Sequence, residues 1–266
     1  MTHGHLNRSA LTFVMLLMTA TLAGCAAPHP APAKHPASPL AKYEEAAIPP
    51  GEAGKQIRLG RQIFDETPKY ARAYVGNQLS CSDCHVHSGL ASYSAPMIDL
   101  ANIFPRYNKR AGRVISLQER FIECFTRSEN GVPPPKDGNV IQNLTAYVNW
   151  LSRDGVKGKA YPARGLVKLP ELTGNISTGK SIYLKQCADC HGKDGAGVPP
   201  VLPPLWGDSA YNDGAGMDNV KKMAAFVIHN MPQNNPGTLT PQDAYDVSAY
   251  IHRMPRPKFN PAYKGY

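Results

Sequence analysis

Two copies of one five-residue pattern constrain this chain more than any other feature. Residues 81–85 read Cys-Ser-Asp-Cys-His, and residues 187–191 read Cys-Ala-Asp-Cys-His. Two thiols at this spacing can add to both vinyl groups of one porphyrin, and the histidine that follows then faces the iron. The pattern predicts two covalently bound haem c groups, attached through Cys81 and Cys84 and through Cys187 and Cys190. The proximal iron ligands would be His85 and His191.

Other uses of paired cysteines explain the pattern less well. A disulfide, a thioredoxin-like dithiol or a zinc site built from all four thiols is compatible with the spacing. None of these sites requires a histidine directly after the second cysteine in both copies. We therefore interpret both motifs as haem attachment sites.

The motifs belong to an internal duplication. A helix containing Gly60–Phe64 precedes the first motif, and a similar helix containing Gly179–Tyr183 precedes the second. Each half ends in a helix, Val140–Leu151 or Gln242–His252, with apolar residues recurring at three and four positions. No alternating β-branched run predicts a sheet. The order predicts a mainly α fold of two tandem class I cytochrome c-like domains, each around one haem c.

Composition places the domain boundaries. Residues 51–152 form the predicted first domain and residues 173–266 the second. Residues 153–172 between them are rich in glycine, proline and charge, and are predicted to be a linker. Only 8% of the chain is aromatic. Small cores of this kind suit a haem protein, because the porphyrin supplies much of the buried apolar surface.

The N-terminus predicts export. Arg8 precedes a 14-residue apolar run that is too short to span a membrane, so residues 1–24 are predicted to be a signal peptide. The run ends in Leu-Ala-Gly-Cys, which resembles a lipoprotein lipobox with Cys25 as the lipidated residue; ordinary cleavage nearby is the alternative. Residues 25–50 would then be a lipid anchor and Pro/Ala-rich tether. We expect a periplasmic protein that meets a membrane only through its N-terminal lipid.

The charge balance limits the partners. The whole chain carries a net charge of +9, and one of its basic residues, Arg8, lies in the signal peptide. No nucleic-acid motif or basic helix accompanies this charge, so nucleic acid is not an expected partner. Small anions or an acidic redox partner fit better, although a generally cationic solvated surface would look the same.

One cysteine is left over, and its position is informative. Of six cysteines, four belong to the haem motifs and Cys25 to the signal end, which leaves Cys124. Cys124 lies 39 residues after His85, and Met231, followed by proline, lies 40 residues after His191. The duplication therefore places Cys124 and Met231 at equivalent distal positions.

These distal residues would make the two haems unequal. The sequence predicts a His85/Cys124 haem and a His191/Met231 haem. An anionic thiolate stabilises Fe(III) and lowers the reduction potential, whereas a neutral thioether raises it. Electrons would then run from the first haem to the second. The alternatives are an inert buried Cys124 and His229 or Met254 as the second distal ligand.

From about residue 54 to residue 257, the chain resembles the dihaem thiosulfate dehydrogenases, the TsdA-type cytochromes. The similarity is strongest in YVGNQLSC (74–81), SAPM (94–97), ERFIECF (119–125), SENG (128–131) and RMPRP (253–257). The resemblance implies that two thiosulfates are joined into tetrathionate, or the reverse. It implies that Cys124 is catalytic and that the second haem passes electrons to a soluble cytochrome or another acceptor. Some members place a lysine where this chain has Asn230, so a Lys-to-Met ligand exchange is not expected.

Thiosulfate is a dianion, so a site that joins two of them should be cationic. Arg106, Arg110 and Arg120 are the candidate substrate-binding residues. A transient S-thiosulfonate adduct on Cys124 would be attacked by a second thiosulfate. Two other functions stay open: a non-enzymatic dihaem electron carrier, and a sulfur-oxidation cytochrome that acts on carrier-bound sulfur. A dihaem peroxidase would not explain the cysteine at the distal position.

Overall fold

The computed structural model describes residue 1 and residues 40–266. The predicted signal peptide, Cys25 and most of the predicted tether lie outside the described residues. The described part is mainly helical, as predicted, and it contains the two expected cytochrome c domains.

Within the described residues, the first half contains six α-helices and one hairpin. In chain order they are α1 (Gly51–Asp65), α2 (Thr67–Tyr70), α3 (Cys81–Cys84), α4 (Val86–Gly89), β1 (Arg106–Asn108), β2 (Arg113–Ile115), α5 (Leu117–Arg127) and α6 (Asn139–Leu151). Short 3₁₀ turns lie at Ala41–Tyr43, Glu45–Ala47, Arg72–Tyr74 and Ala101–Ile103. The predicted terminal helix of this half is confirmed as α6.

The second half contains four helices. They are α7 (Ile176–Gln186), α8 (Ala188–His191), α9 (Val220–Asn230) and α10 (Pro241–His252), followed by a 3₁₀ turn at Pro261–Tyr263. The predicted terminal helix is confirmed as α10, which begins after a capping box between Thr240 and Asp243. Both halves follow the predicted order of helix, haem motif, long loop and terminal helix.

The duplication is visible in how the helices cross. In each half the first long helix packs against the last, α1 against α6 and α7 against α10. Gly60 lies against the backbone of Asn143 at the first crossing, and Gly179 lies against the backbone of Asp246 at the second. A Cβ at either glycine would clash with a carbonyl oxygen of the partner helix. Glycine at these two equivalent positions therefore lets the helices approach closely.

Two buried clusters form the main cores, and the second takes residues from both halves. The first is centred on aromatic side chains of the first half, including Phe64, Phe125 and Tyr147. The second contains Tyr183 and Trp206 but also Leu79, which flanks the first haem motif. The halves therefore share buried surface within one compact unit. The exact domain boundaries stay a prediction.

A small hairpin departs from the expectation that the chain forms no sheet. Strands β1 and β2 pair antiparallel over three residues each, with Tyr107 opposite Val114. Both of these apolar residues are exposed. The hairpin therefore lacks the buried alternating face that makes a strand visible in a sequence.

The predicted tether is wrong at its C-terminal end. Tyr43 and Ile48 are buried in the first core, and the Tyr43 ring packs edge-on against Trp150 at 6.0 Å between centroids. Proline content led to the prediction of an extended segment, but an aromatic and an aliphatic residue among the prolines bury apolar surface.

No helix within residues 40–266 has the length and apolar character that crossing a membrane requires.

Candidate haem sites and the surroundings of Cys124

The first haem motif is fixed by hydrogen bonds to its N-terminal end. The backbone N–H of Ser80 donates to Asp83 Oδ2 at 2.8 Å, which closes the first turn of α3. The backbone N–H of Cys81 donates to Thr67 Oγ1 at 3.1 Å. Thr67 and Asp83 therefore set the orientation of the turn that carries both thiols.

The hydrogen bonding of His85 leaves its Nε2 available to bind a metal. Its Nδ1 lies 2.7 Å from the carbonyl oxygen of Ala95. A carbonyl only accepts, so Nδ1 carries the proton and Nε2 keeps its lone pair. Burial lowers the pKa of His85 to about 4, so the imidazole is neutral. A neutral ring with Nδ1–H bonded to the backbone is the usual state of a metal-binding histidine.

His191 repeats this arrangement in the second half. Its Nδ1 lies 2.9 Å from the carbonyl oxygen of Pro203. Burial lowers the pKa of this imidazole below its ordinary value. The same tautomer follows, with Nε2 available. Two motifs 106 positions apart in the sequence thus present the same nitrogen in the same chemical state.

A small pocket joins the first haem motif to Cys124. Its lining brings together both thiols of the motif, the His85 imidazole and the Cys124 thiol: Leu79, Ser80, Cys81, Cys84, His85, Cys124, Ser128, Glu129, Tyr211, Ala215 and Met217. Two thiols for the vinyl groups, one imidazole nitrogen and a further sulfur are a donor set that can hold a haem c. The residues present therefore fit the group.

The second half contributes a wall of this cavity. Tyr211, Ala215 and Met217 all follow the second haem motif in sequence. Tyr211 and Met217 also pack in the second core, with Cys187 at its margin. The surroundings of the two haem motifs are therefore continuous through this loop.

Cys124 lies on α5, which begins with a capping box. Ser116 Oγ accepts from the Glu119 backbone N–H at 3.2 Å, and Glu119 Oε2 accepts from the Ser116 backbone N–H at 2.7 Å. Burial raises the pKa of the Cys124 thiol, and the Arg120 guanidinium, whose Nη1 lies 3.2 Å from Sγ, acts in the opposite direction. The thiol is therefore held beside a cation.

The candidate substrate arginines do not all lie near Cys124. Arg120 contacts Sγ directly. The charge of Arg110 also opposes the rise that burial causes in the pKa of this thiol. Arg106 lies on β1, and burial and then the Arg106 charge lower the pKa of Arg164. The structure thus groups Arg110 and Arg120 with Cys124 and places Arg106 beside another arginine.

Three buried polar residues of this site are not among the candidate substrate-binding residues. Arg127 is 4% exposed, and burial and then Arg110 lower the pKa of its guanidinium. Glu123 and Glu129 are buried, and burial raises the pKa of Glu129 well above its ordinary value. Within the described part of the chain, each of these three side chains has a buried polar atom without a hydrogen-bond partner. Their positions one, three and five residues from Cys124 were visible in the sequence, but their burial was not.

Met231 directly follows α9 and packs at the margin of the second core, which also borders Cys187. Met254 packs against the same core. The other rival ligand, His229, is exposed, and its ring lies edge-on against Tyr93 of the first half at 5.1 Å between centroids. His229 is thus directed at the first half.

The predicted linker supports the loop that holds His85. The backbone N–H of Ala95 donates to the carbonyl of Gly165 at 2.8 Å, and that of Tyr93 donates to the carbonyl of Ala163 at 3.0 Å. Ala95 is the residue whose own carbonyl accepts from His85. Residues 163–165 therefore brace the loop that accepts the hydrogen bond of His85, in addition to connecting the domains.

Two family profiles match the two halves. That of the SoxA/TsdA cytochrome c domain matches residues 68–156. That of the cytochrome c oxidase cbb3-type subunit III matches residues 174–251. Each match spans one haem motif and the terminal helix that follows it.

Relatives match along most of the chain. A thiosulfate dehydrogenase of Stutzerimonas stutzeri is 41% identical over 81% of this chain and 72% of its own length. One of Allochromatium vinosum is 34% identical over 80% and 83%. A solved structure titled thiosulfate dehydrogenase (TsdBA), from Marichromatium purpuratum, has a TM-score of 0.75 at 34% identity. The match covers 79% of this chain but only 48% of the longer Marichromatium chain.

Proposed function

The chain belongs to the thiosulfate dehydrogenase family of c-type cytochromes, and we propose that it joins two thiosulfate ions into tetrathionate. The observation that carries the proposal is the shared cavity of Cys81, Cys84, His85 and Cys124. A redox group bound there would meet a reactive sulfur beside the Arg120 cation. An electron carrier needs no such sulfur, because a thioether or imidazole serves as the distal ligand.

We propose His85 and Cys124 as the axial ligands of the first haem and His191 and Met231 as those of the second. The bonded Nδ1 atoms support both histidines. The common cavity supports Cys124. The exposure of His229 favours Met231 over this rival.

The proposed chemistry uses Cys124 as a nucleophile and as a leaving group. The thiolate and the outer sulfur of one thiosulfate form a disulfide bond, which yields Cys–S–S–SO₃⁻ and releases two electrons. The bound haems supply the one-electron acceptors that carry these electrons away. A second thiosulfate then attacks the adduct, leaves as tetrathionate and returns the Cys124 thiolate.

Arg110 and Arg120 serve this chemistry by offsetting repulsion. Two thiosulfate dianions and a thiolate must come within bonding distance, and fixed cations reduce that cost in a partly desolvated site. Arg120 is already in contact with Sγ, so it can hold the anionic sulfur. Arg110, which is exposed, lies near enough to meet an incoming anion.

The second half is the proposed exit for electrons. Cys190 of the second motif is exposed, whereas the thiols of the first motif are only partly exposed. A soluble cytochrome or another acceptor can therefore approach the second haem more closely. We propose a periplasmic location with a lipid anchor at Cys25, which keeps the enzyme where such acceptors occur.

The decisive experiment measures turnover in both directions on purified holoprotein. Thiosulfate should reduce ferricyanide, tetrathionate should oxidise a reduced dye, and Cys124→Gly should abolish both while two haems stay attached. The matched control is Cys25→Ser, which removes the other cysteine outside the haem motifs and should leave turnover unchanged. No activity in either direction for the unmodified protein would favour the carrier function.

A further inference from the structure

Glu123 precedes the candidate catalytic cysteine and is almost completely buried, at 1% exposure. Within the described residues, its Oε1 atom has no hydrogen-bond partner. A buried carboxylate is costly unless its surroundings compensate it. The contacts of its other oxygen indicate what it does.

The first contact of Glu123 reaches the cysteine through an arginine. Glu123 Oε2 lies 3.5 Å from Arg120 Nη1. The same nitrogen lies 3.2 Å from Cys124 Sγ. One end of the guanidinium is thus held between a carboxylate and a sulfur. Arg120 is 38% exposed, so it would have freedom to move without these contacts.

The second contact reaches the other arginine. Asn108 Nδ2 donates to Glu123 Oε2 at 2.7 Å. The Oδ1 atom of the same Asn108 accepts from the backbone N–H groups of Arg110 at 2.8 Å and Ala111 at 3.2 Å. The carboxylate therefore anchors the turn between β1 and β2, and this turn carries Arg110.

We propose that Glu123 is a positioning residue that holds Arg120 against the Cys124 sulfur and fixes the turn bearing Arg110. The same carboxylate oxygen contacts Arg120 and Asn108, so both arginines keep a defined place relative to the thiol. The role in binding substrate rests on the proposed function. The effect on the first haem rests on the proposed ligation of its iron by Cys124, but not on thiosulfate oxidation.

The charges around the thiol permit this role. Burial lowers the pKa of the Arg127 guanidinium, and the charges of Arg110 and Arg120 act in the same direction, whereas Glu123 opposes them. One carboxylate among three guanidinium groups reduces their mutual repulsion and leaves the group cationic.

Loss of the carboxylate should be visible at the first haem without any substrate. A hydrogen bond to a ligating sulfur withdraws charge from it and raises the reduction potential. If Arg120 moves away, the sulfur donates more strongly. The low-spin EPR signal of the first haem should then shift and its midpoint potential should fall.

The test compares Glu123→Ala with Glu123→Gln in oxidised holoprotein. The alanine variant should shift the EPR g-values, lower the midpoint potential and raise KM for thiosulfate by roughly tenfold. The glutamine variant keeps an acceptor oxygen and should restore most of all three. An alanine variant with unshifted EPR, potential and KM would overturn the proposal, as would a glutamine variant with the full defect.

A second variant covers the case in which Glu123→Ala does not fold. Asn108→Ala keeps the buried carboxylate but releases the turn, so KM should rise while the EPR signal stays in place. An unchanged KM would overturn the proposal that Glu123 fixes the turn bearing Arg110 through Asn108. Glu119→Gln is the control, because this carboxylate caps the same helix and pairs with Arg113 at 2.9 Å.

The readouts separate this proposal from the proposed function. The EPR signal and potential are measured without thiosulfate. If the unmodified protein does not oxidise thiosulfate but Glu123→Ala still shifts both, the positioning role stands and the proposed function fails.

Discussion

At the scale of single residues, the spacing of reactive groups was readable from the sequence, but their surroundings were not. The haem cysteines and histidines follow from a local pattern, because one turn fixes all three. The grouping of Arg110 and Arg120 with Cys124 depends on a hairpin and a helix packing together. Arg106 precedes Arg110 by only four residues, yet its charge acts on Arg164.

This difference gives a prediction for Arg110 and Arg106. Arg110→Gln should raise KM for thiosulfate roughly tenfold, since a charge-assisted contact with a dianion is lost. Arg106→Gln should change KM by less than about twofold, because its neighbour is Arg164 and not the thiol. Steady-state ferricyanide reduction at fixed ionic strength measures both. Equal effects of the two substitutions would show that the pocket extends along β1.

At the scale of elements, the duplication predicted the long helices well, and the structure explains why their glycines recur. Amphipathic periodicity shows which face of a helix is apolar, but it does not show which partner that face meets. The crossings of α1 with α6 and of α7 with α10 became visible only in three dimensions. The hairpin was missed because Tyr107 and Val114 on it are exposed.

At the two helix crossings, we expect Gly→Ala to destabilise the protein, opposite to its usual effect in a helix. In an exposed helix interior, Gly→Ala usually stabilises by up to about 1 kcal/mol. At Gly60 and Gly179 the added methyl would press on the carbonyl of Asn143 or Asp246, so each substitution should destabilise by about 1–3 kcal/mol. Urea unfolding followed by circular dichroism measures the change.

Gly216→Ala is the control for this experiment, because an added Cβ there meets no atom within 4 Å. Its unfolding free energy should stay within about 0.5 kcal/mol of the unmodified protein. Stabilisation by Gly60→Ala or Gly179→Ala would mean that the crossing helices are not in close contact.

At the scale of the whole molecule, the two halves are joined through buried amides. Asn212, 1% exposed, lies in the second half, and its Nδ2 donates to Thr126 O at 2.9 Å and to Asn130 Oδ1 at 3.1 Å. Asn77 in the first half donates to Ala210 O at 3.2 Å. The sequence predicted two domains and a linker, but such side-chain bonds between halves leave no periodic pattern. They also hold the Tyr211–Met217 wall of the first cavity in place.

Asn212→Ala should therefore uncouple the halves. The substitution removes two hydrogen bonds to the first half and a third from the Gly214 backbone N–H, which costs about 2–3 kcal/mol. Each half has one tryptophan, Trp150 or Trp206, so Trp150→Phe and Trp206→Phe backgrounds report each half separately. In the unmodified interface both reporters should show the same urea midpoint. With Asn212→Ala the midpoints should fall and separate, because the halves then unfold with their own stabilities.

The matched control tests whether the interface, and not amide loss in general, couples the halves. Asn149 is exposed on α6, and Asn149→Ala should leave both midpoints nearly unchanged, since exposed substitutions usually shift stability by less than about 0.5 kcal/mol. Separate midpoints already present before any interface substitution would show that the halves unfold independently. Unfolding of the second half would then remove the Tyr211–Met217 wall and expose the pocket around Cys124 while the first half is still folded. Coincident midpoints would mean instead that the cavity around Cys124 stays closed until the whole molecule unfolds.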